Sequence, residues 1–135
     1  MSSLIVFDTC ILIDQLRSDR FRQRMLSLDG VVRTSSVVLA ELWRGAVTET
    51  DFRALGVLEK NRGILTPTEK NWTESGKILA KVRADRGFPP DKLRNLHFDV
   101  LIALTAHAYG ATLITSNRVD FELIRNHREF VLEIW

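Results

Sequence analysis

The chain holds one cysteine, three prolines, one tyrosine and no long hydrophobic run in 135 residues. The lone Cys10 permits no internal disulfide, so an apolar core rather than a covalent staple must hold the fold. The prolines stand only at 67, 89 and 90, which leaves long stretches open to uninterrupted helices and strands. The longest aliphatic run, Val100 to Leu104, falls far short of the roughly 20 residues a membrane-spanning helix needs. Met1-Ser2-Ser3 offers no basic region ahead of the first apolar residues, and Asp8 interrupts those early, so no secretory signal is expected. These absences point to a reducing, cytoplasmic setting and to no membrane association.

What is present suffices for one core. Hydrophobic residues make up 45% and charged residues 27%, and a chain of this size buries roughly 70% of its unfolded surface. The expectation is a single domain spanning residues 1–135. Nineteen Lys and Arg against seventeen Asp and Glu leave a formal charge of only +2, a figure that hides where the acids sit.

Leu4 to Phe7 reads as a buried strand ending at Asp8-Thr9, followed by a short helix from Cys10 to Gln15. A basic helical segment at Phe21 to Leu28 leads through Asp29-Gly30 to a strand at Val31 to Thr34. Ser35 is placed to cap a helix reaching about Ala46. Thr50 to Lys60 has apolar residues at helical spacing, closed by Asn61-Arg62-Gly63 ahead of a strand at Ile64-Leu65. In Thr66-Pro67-Thr68-Glu69, Thr66 is expected to cap, Pro67 to take the first helical position and Glu69 to complete a capping box, for a helix running to Arg86-Gly87. Phe88-Pro89-Pro90-Asp91 reads as a loop, Phe98 to Ala108 as a helix stopped by Gly110, and Thr112 to Thr115 as a strand. A helical turn near Phe121 and a strand at Val131 to Ile134 complete the chain. Short aliphatic strands alternating with helices predict an α/β fold, a central, mostly parallel five-stranded sheet with helices on both faces. Such sheets bind ligands beyond the carboxyl ends of their strands.

Three acids interrupt segments otherwise built for burial. Asp8 is the only charge between Met1 and Ile13, Glu41 the only one from Ser35 to Trp43, and Asp99 the only formal one from Leu96 to Tyr109. An unpaired buried carboxylate costs several kcal/mol, so such placements demand partners or a cation. On the predicted elements Asp8 ends the first strand, Glu41 lies in the second turn of its helix, and Asp99 lies in the first turn of its own, whose dipole would help keep it ionised. Asn117 and Asp120 follow the fourth strand and can face the same crevice. Carboxylates converging without histidine or thiolate suit Mg²⁺ or Mn²⁺ rather than zinc. A separate structural role for each acid also fits: Asp8 as a strand-end cap, Glu41 paired with Arg44, Asp99 as an N-terminal helix charge.

Phe7-Asp8-Thr9-Cys10, Ser35 to Leu42, Phe98 to Ala103 and Thr115 to Phe121 resemble, in order, the four acidic motifs of PIN-domain ribonucleases, and most closely the short VapC-like toxins of prokaryotic toxin-antitoxin pairs. The resemblance implies a PIN-like domain in which Asp8 and Asp99 are the principal Mg²⁺ ligands, with Mn²⁺ able to substitute. It makes Glu41 a further acid of the same pocket, Asp120 the final acid and Asn117 a polar organiser. Thr9 and Ser116 are candidates to hold water or a carboxylate, or simply to cap. The implied activity is Mg²⁺-dependent endoribonuclease hydrolysis with water as the nucleophile. Such chemistry does not itself separate RNA from DNA, and a PIN-like scaffold without catalysis is a further alternative. The implied partners are an RNA substrate, a cognate antitoxin and a second copy of the chain in a homodimer.

Arg17, Arg20, Arg22, Arg24, Lys92, Arg94 and Arg118 are candidate phosphate contacts, although scattered basic residues also make an ordinary solvated face. His97 is expected at a helix start or on the surface, and Trp43, Trp72 and Trp135 in the core or an interface. The apolar stretches Val37 to Trp43 and Thr50 to Leu58 offer a partner surface or core. No receiver-type acid pair, second aspartate two residues after Asp8, or phosphate-binding glycine loop is present. Setting the four candidate acids aside leaves thirteen acidic against nineteen basic residues, an acidic pocket in a basic surface.

Overall fold

The structure, a computed structural model, describes residues 3–61 and 63–135. Met1, Ser2 and Arg62 lie outside the described residues, and with them the expectations about the extreme N-terminus and the Asn61-Arg62-Gly63 stop. In chain order the elements are β1 (Ser3–Phe7), α1 (Thr9–Ser18), α2 (Arg22–Leu26), β2 (Gly30–Ser35), α3 (Ser36–Arg44), α4 (Glu49–Asn61), β3 (Ile64–Leu65), α5 (Glu69–Arg86), α6 (Pro90–Ala108), β4 (Ala111–Thr115), α7 (Arg118–Arg125) and β5 (Val131–Ile134).

The five strands form one sheet in the order β3-β2-β1-β4-β5, and every pairing is parallel. Parallel strands are covered on both faces, which explains their near-continuous aliphatic runs. Alternate residues of β1 and β4 feed two cores. Val6 and Leu113 join the larger one with residues of α3, α5, α6 and α7, while Ile5, Phe7 and Ile114 join the smaller one with Ile11, Phe21 and Trp135. The α/β architecture with helices on both faces is therefore as expected.

Strand order reverses between β1 and β4, and the crevice beyond that junction is the usual ligand position of such sheets. Register sets the detail: Phe7 pairs with Ile114, so the next residues along, Asp8 and Thr115, arrive side by side. The Asp8 backbone N–H donates to the Ile114 carbonyl at 2.9 Å, which extends the ladder to the site's edge.

Two helix starts differ from expectation. Thr68, not Thr66, caps α5: its hydroxyl accepts from the Asn71 N–H and the Asn71 side chain accepts from the Thr68 N–H, both at 3.0 Å. Asn71 is buried and needs such partners, whereas Glu69 is exposed in the first turn, where its charge suits the helix dipole. The second difference matters more. The Pro89-Pro90 pair starts α6 rather than interrupting the chain, because Pro89 is extended and Pro90 takes the first helical position, where no N–H is needed. Asp99 is thus the tenth residue of its helix, and the expected dipole support at a helix N-terminus does not exist.

His97, expected at a helix start or on the surface, lies half-buried inside α6, where its Nε2 is 2.9 Å from the Ser75 hydroxyl of α5. Trp43 stacks on Phe52, Trp135 packs against Phe7 and Phe21, and Trp72 is 54% exposed on α5. The apolar stretch of α3 supplies core, with Val37, Val38, Leu39 and Leu42 buried, while α4 leaves Phe52 and Val57 exposed. No helix among the described residues is long and apolar enough to cross a membrane.

Candidate active site

Asp8 occupies the centre of the crevice, 4% exposed. It caps α1, accepting from the Thr9 N–H at 2.8 Å through Oδ1. Its Oδ2 accepts from the Thr115 hydroxyl at 2.7 Å and from the Cys10 thiol at 3.3 Å. Burial nevertheless holds its carboxyl above the ordinary aspartate range, with these donors pulling the other way. The capping role foreseen for Asp8 and a site role coexist, since one oxygen serves the cap and the other faces Thr115 and Cys10.

Glu41 stands in the second turn of α3 because Ser35 starts that helix, its hydroxyl accepting from the N–H groups of Val37 and Val38. The Thr9 hydroxyl donates to Glu41 Oε1 at 2.8 Å, which ties α3 to the start of α1 beside Asp8. Arg44 approaches only to 3.9 Å and is mostly exposed. Burial first, and the Asp8 charge after the opposing Thr9 bond, push the Glu41 carboxyl up.

Asp120 lies in the first turn of α7, where Asn117 is the cap. Asn117 accepts from the Asp120 N–H and returns its own amide to Asp120 Oδ2 at 3.1 Å. Lys92 from α6 donates to both Asp120 oxygens, at 2.9 and 3.2 Å. Lys92 is therefore engaged within the site. Arg20, Arg22, Arg94 and Arg118 likewise pair with Asp14, Asp19, Asp91 and Glu122.

Asp99 projects from the third turn of α6. Its carboxyl is pushed up to about 8, by burial first and then by the charges of Asp8, Glu41 and Asp120, with Lys92 opposing. That response brings all four acids into one electrostatic neighbourhood. Among the described residues, no three His, Cys, Asp or Glu side chains stand close enough as placed to enclose a metal ion. The donor set still fits a hydrated hard cation, because Mg²⁺ keeps several waters and takes only one or two carboxylates directly. A divalent charge would relieve the repulsion that raises Asp99. Ser116 Oγ, between Thr115 and Asn117 in the chain, is the one buried side-chain polar atom without a partner among the described residues.

Sequence reasoning missed Thr115 and Cys10 as partners of Asp8. The only signal for Thr115 is the parallel pairing of β1 with β4, which sets residue 115 beside residue 8 and is invisible before the strand order is known.

The PIN domain model matches residues 5–126, and the chain belongs to that family. Three crystal structures extend the likeness across nearly the whole chain. VapBC2 from Rickettsia felis, bound to a DNA fragment from their promoter, is 22% identical, with 98% of each chain covered and a TM-score of 0.72. DNA-bound VapBC from Salmonella typhimurium is 26% identical, covering 100% of this chain and 99% of that one, with a TM-score of 0.70. VapBC-5 from Mycobacterium tuberculosis, a member of the VapBC family of toxin-antitoxin systems, is 26% identical, covering 98% and 97%, with a TM-score of 0.57. No curated protein matches the chain.

Proposed function

We propose that this PIN-domain chain is a Mg²⁺-dependent endoribonuclease and the toxin of a toxin-antitoxin pair. The observation that carries the reading is the convergence of Asp8, Glu41, Asp99 and Asp120 beyond the β1/β4 reversal, strained enough to hold the Asp99 carboxyl at about 8. Asp8 and Asp99 would hold Mg²⁺, or Mn²⁺ in its place, with Glu41 and Asp120 completing the acidic wall. When bound, such an ion neutralises charge developing on a phosphodiester and makes water a better nucleophile.

The protein's own residues do the positioning. Thr115, Cys10 and the Thr9 N–H hold the Asp8 carboxylate in one orientation, and the Thr9 hydroxyl fixes Glu41 relative to it. Lys92 and Asn117 fix Asp120. Such outer contacts typically matter by 10–100-fold in metal affinity or activity.

An antitoxin partner, a cytoplasmic location and a homodimer belong to the same proposal. The structural neighbours from S. typhimurium and M. tuberculosis are VapBC assemblies. A cleft beside Glu41, lined by Ile13, Leu16, Leu42, Ala46 and Leu55, gives an apolar partner segment a place to lie.

The test is cleavage of RNA by the purified chain with Mg²⁺ or Mn²⁺. Cleavage is expected to stop on addition of a chelator and to fall in Asp8→Asn and Asp99→Asn by more than the loss of an outer contact would cause. Undiminished cleavage in those variants or in excess chelator would overturn the reading.

A further inference from the structure

At its Asp120 end the site continues into a groove of about 630 Å³ between the C-terminus of α5, the start of α6 and α7. Arg86, Phe88, Lys92, Asp120, Glu122 and Arg125 are on its walls. The charges there do not cancel. Lys92 is matched by Asp120 at 2.9 Å and Glu122 by Arg118 at 2.8 Å. Arg86 and Arg125 have no carboxylate within ion-pair distance among the described residues. Each is the last residue of its helix, α5 or α7, and each is exposed.

Four acids in a pocket repel a polyanion, so a substrate with a phosphate backbone needs cationic ground beside them. The opposite flank does not supply it: the cleft at Glu41 is largely apolar and sets Arg17 against Asp51. The Asp120 groove does, with two uncompensated guanidinium groups whose planar forks suit phosphate oxygens. Phe88 is half-buried on the same wall, 5.8 Å from the Lys92 ammonium, and offers a ring against which a base or sugar can pack.

We propose that this groove is the track of a single RNA strand leaving the reaction centre, with Arg86 and Arg125 each holding a backbone phosphate. The proposal rests on the ribonuclease reading above and adds to it the side on which the strand runs and two binding residues.

The experiment compares wild type with the double variant Arg86→Gln/Arg125→Gln on a fluorescent single-stranded RNA oligonucleotide. It measures kcat and KM in Mg²⁺, and oligonucleotide Kd by anisotropy over a range of salt in an Asp8→Asn background. The expected result is a rise of about tenfold in KM and Kd, with KM taking most of the change. The slope of log Kd against log salt should shrink by about 1.4, the value for two single-strand phosphate contacts at about 0.7 each. Circular dichroism of the double variant checks that the two exposed substitutions leave the fold intact. An active wild type with KM, Kd and salt slope unchanged in the double variant overturns the groove alone. A wild type that neither cleaves nor binds the oligonucleotide overturns the ribonuclease reading, and the groove with it.

Discussion

On the strand side of the pocket, Asp8 is surrounded by donors: the Thr9 N–H, the Thr115 hydroxyl and the Cys10 thiol all point at it. On the helix side, Asp99 meets burial and the charges of three other acids, eased only by Lys92, and no hydrogen-bond donor is among the influences on it. Both carboxyls are raised, but Asp8 is raised against opposing hydrogen bonds and Asp99 with almost nothing to oppose the shift. A carboxylate with three donors is part of the architecture even without a ligand. A carboxylate without donors is strain, relieved by a proton or by an added cation. The pocket thus combines a preformed half with a half that costs stability, the usual trade at sites selected for function rather than for rigidity.

The sharpest way to break this contrast is to neutralise each acid in the metal-free protein. At pH 7–8 the folded chain must either keep on Asp99 a proton that the unfolded chain releases or hold a repelled charge. Asp99→Asn removes that cost and loses no donor, so stability should rise by several kcal/mol, read as a higher denaturant midpoint. Asp8→Asn turns an amide N–H₂ toward the Thr115 and Cys10 donors, so its gain should be smaller or absent. Equal gains in the two variants would erase the distinction between the two halves. Neither variant should cleave RNA, which separates stability from activity in Asp99→Asn.

The pH dependence tests the same half by a second route. The Asp99 carboxyl titrates near 8 in the folded chain and at about 3.8 when unfolded. Between those values the folded state keeps a proton that the unfolded state has lost. Stability of the metal-free protein is therefore greatest below about pH 4 on this account and falls as pH rises toward 8, by up to about 1.4 kcal/mol per unit. Asp99→Asn should flatten that slope, and saturating Mg²⁺ should reduce it in the wild type. A slope identical in wild type and Asp99→Asn would assign the strain elsewhere.

On the strand side, Thr115→Val keeps shape while removing the donor to Asp8 and the acceptor of the Asn117 N–H, a 3.0 Å bond. A loss of about 1–2 kcal/mol is expected, together with a 10–100-fold weaker Mg²⁺ affinity by calorimetry. Wild-type affinity in this variant would show that the donors around Asp8 are incidental.

The same division governs what could be read from the sequence. The strand side was legible because a charge at the end of an aliphatic run marks both the strand's end and the crevice, which located Asp8 directly. Glu41 was legible through the Ser35 cap, which counts out to the second turn of α3. The helix side was not, because Pro89-Pro90 reads as a loop, whereas a proline pair can also open a helix, and Leu93 and Leu96 of that helix pack against the main core. A helix starting at Phe98 rather than Pro90 keeps Asp99 in the crevice but lends it a dipole it does not have. The groove was hidden for a different reason: Arg86 and Arg125 are last residues of helices 39 positions apart, and only the fold of α5, α6 and α7 brings them to one channel.

The smallest expected effect concerns Ser116, which follows Thr115 directly in the chain. Its Oγ is buried without a partner, and an unpaired buried hydroxyl costs free energy rather than supplying it. Ser116→Ala should therefore leave the metal-free protein as stable as wild type or slightly more so, within about 1 kcal/mol. A hydrated cation in the pocket would give that hydroxyl the partner it lacks, so Mg²⁺ affinity should fall by a few fold in the alanine variant, and Ser116→Thr should restore part of it. Calorimetry of Mg²⁺ binding beside a denaturant titration separates the two quantities. If Ser116→Ala instead lowers metal-free stability and leaves Mg²⁺ affinity untouched, the hydroxyl is an ordinary turn cap, and the pocket's cation site draws on carboxylates alone.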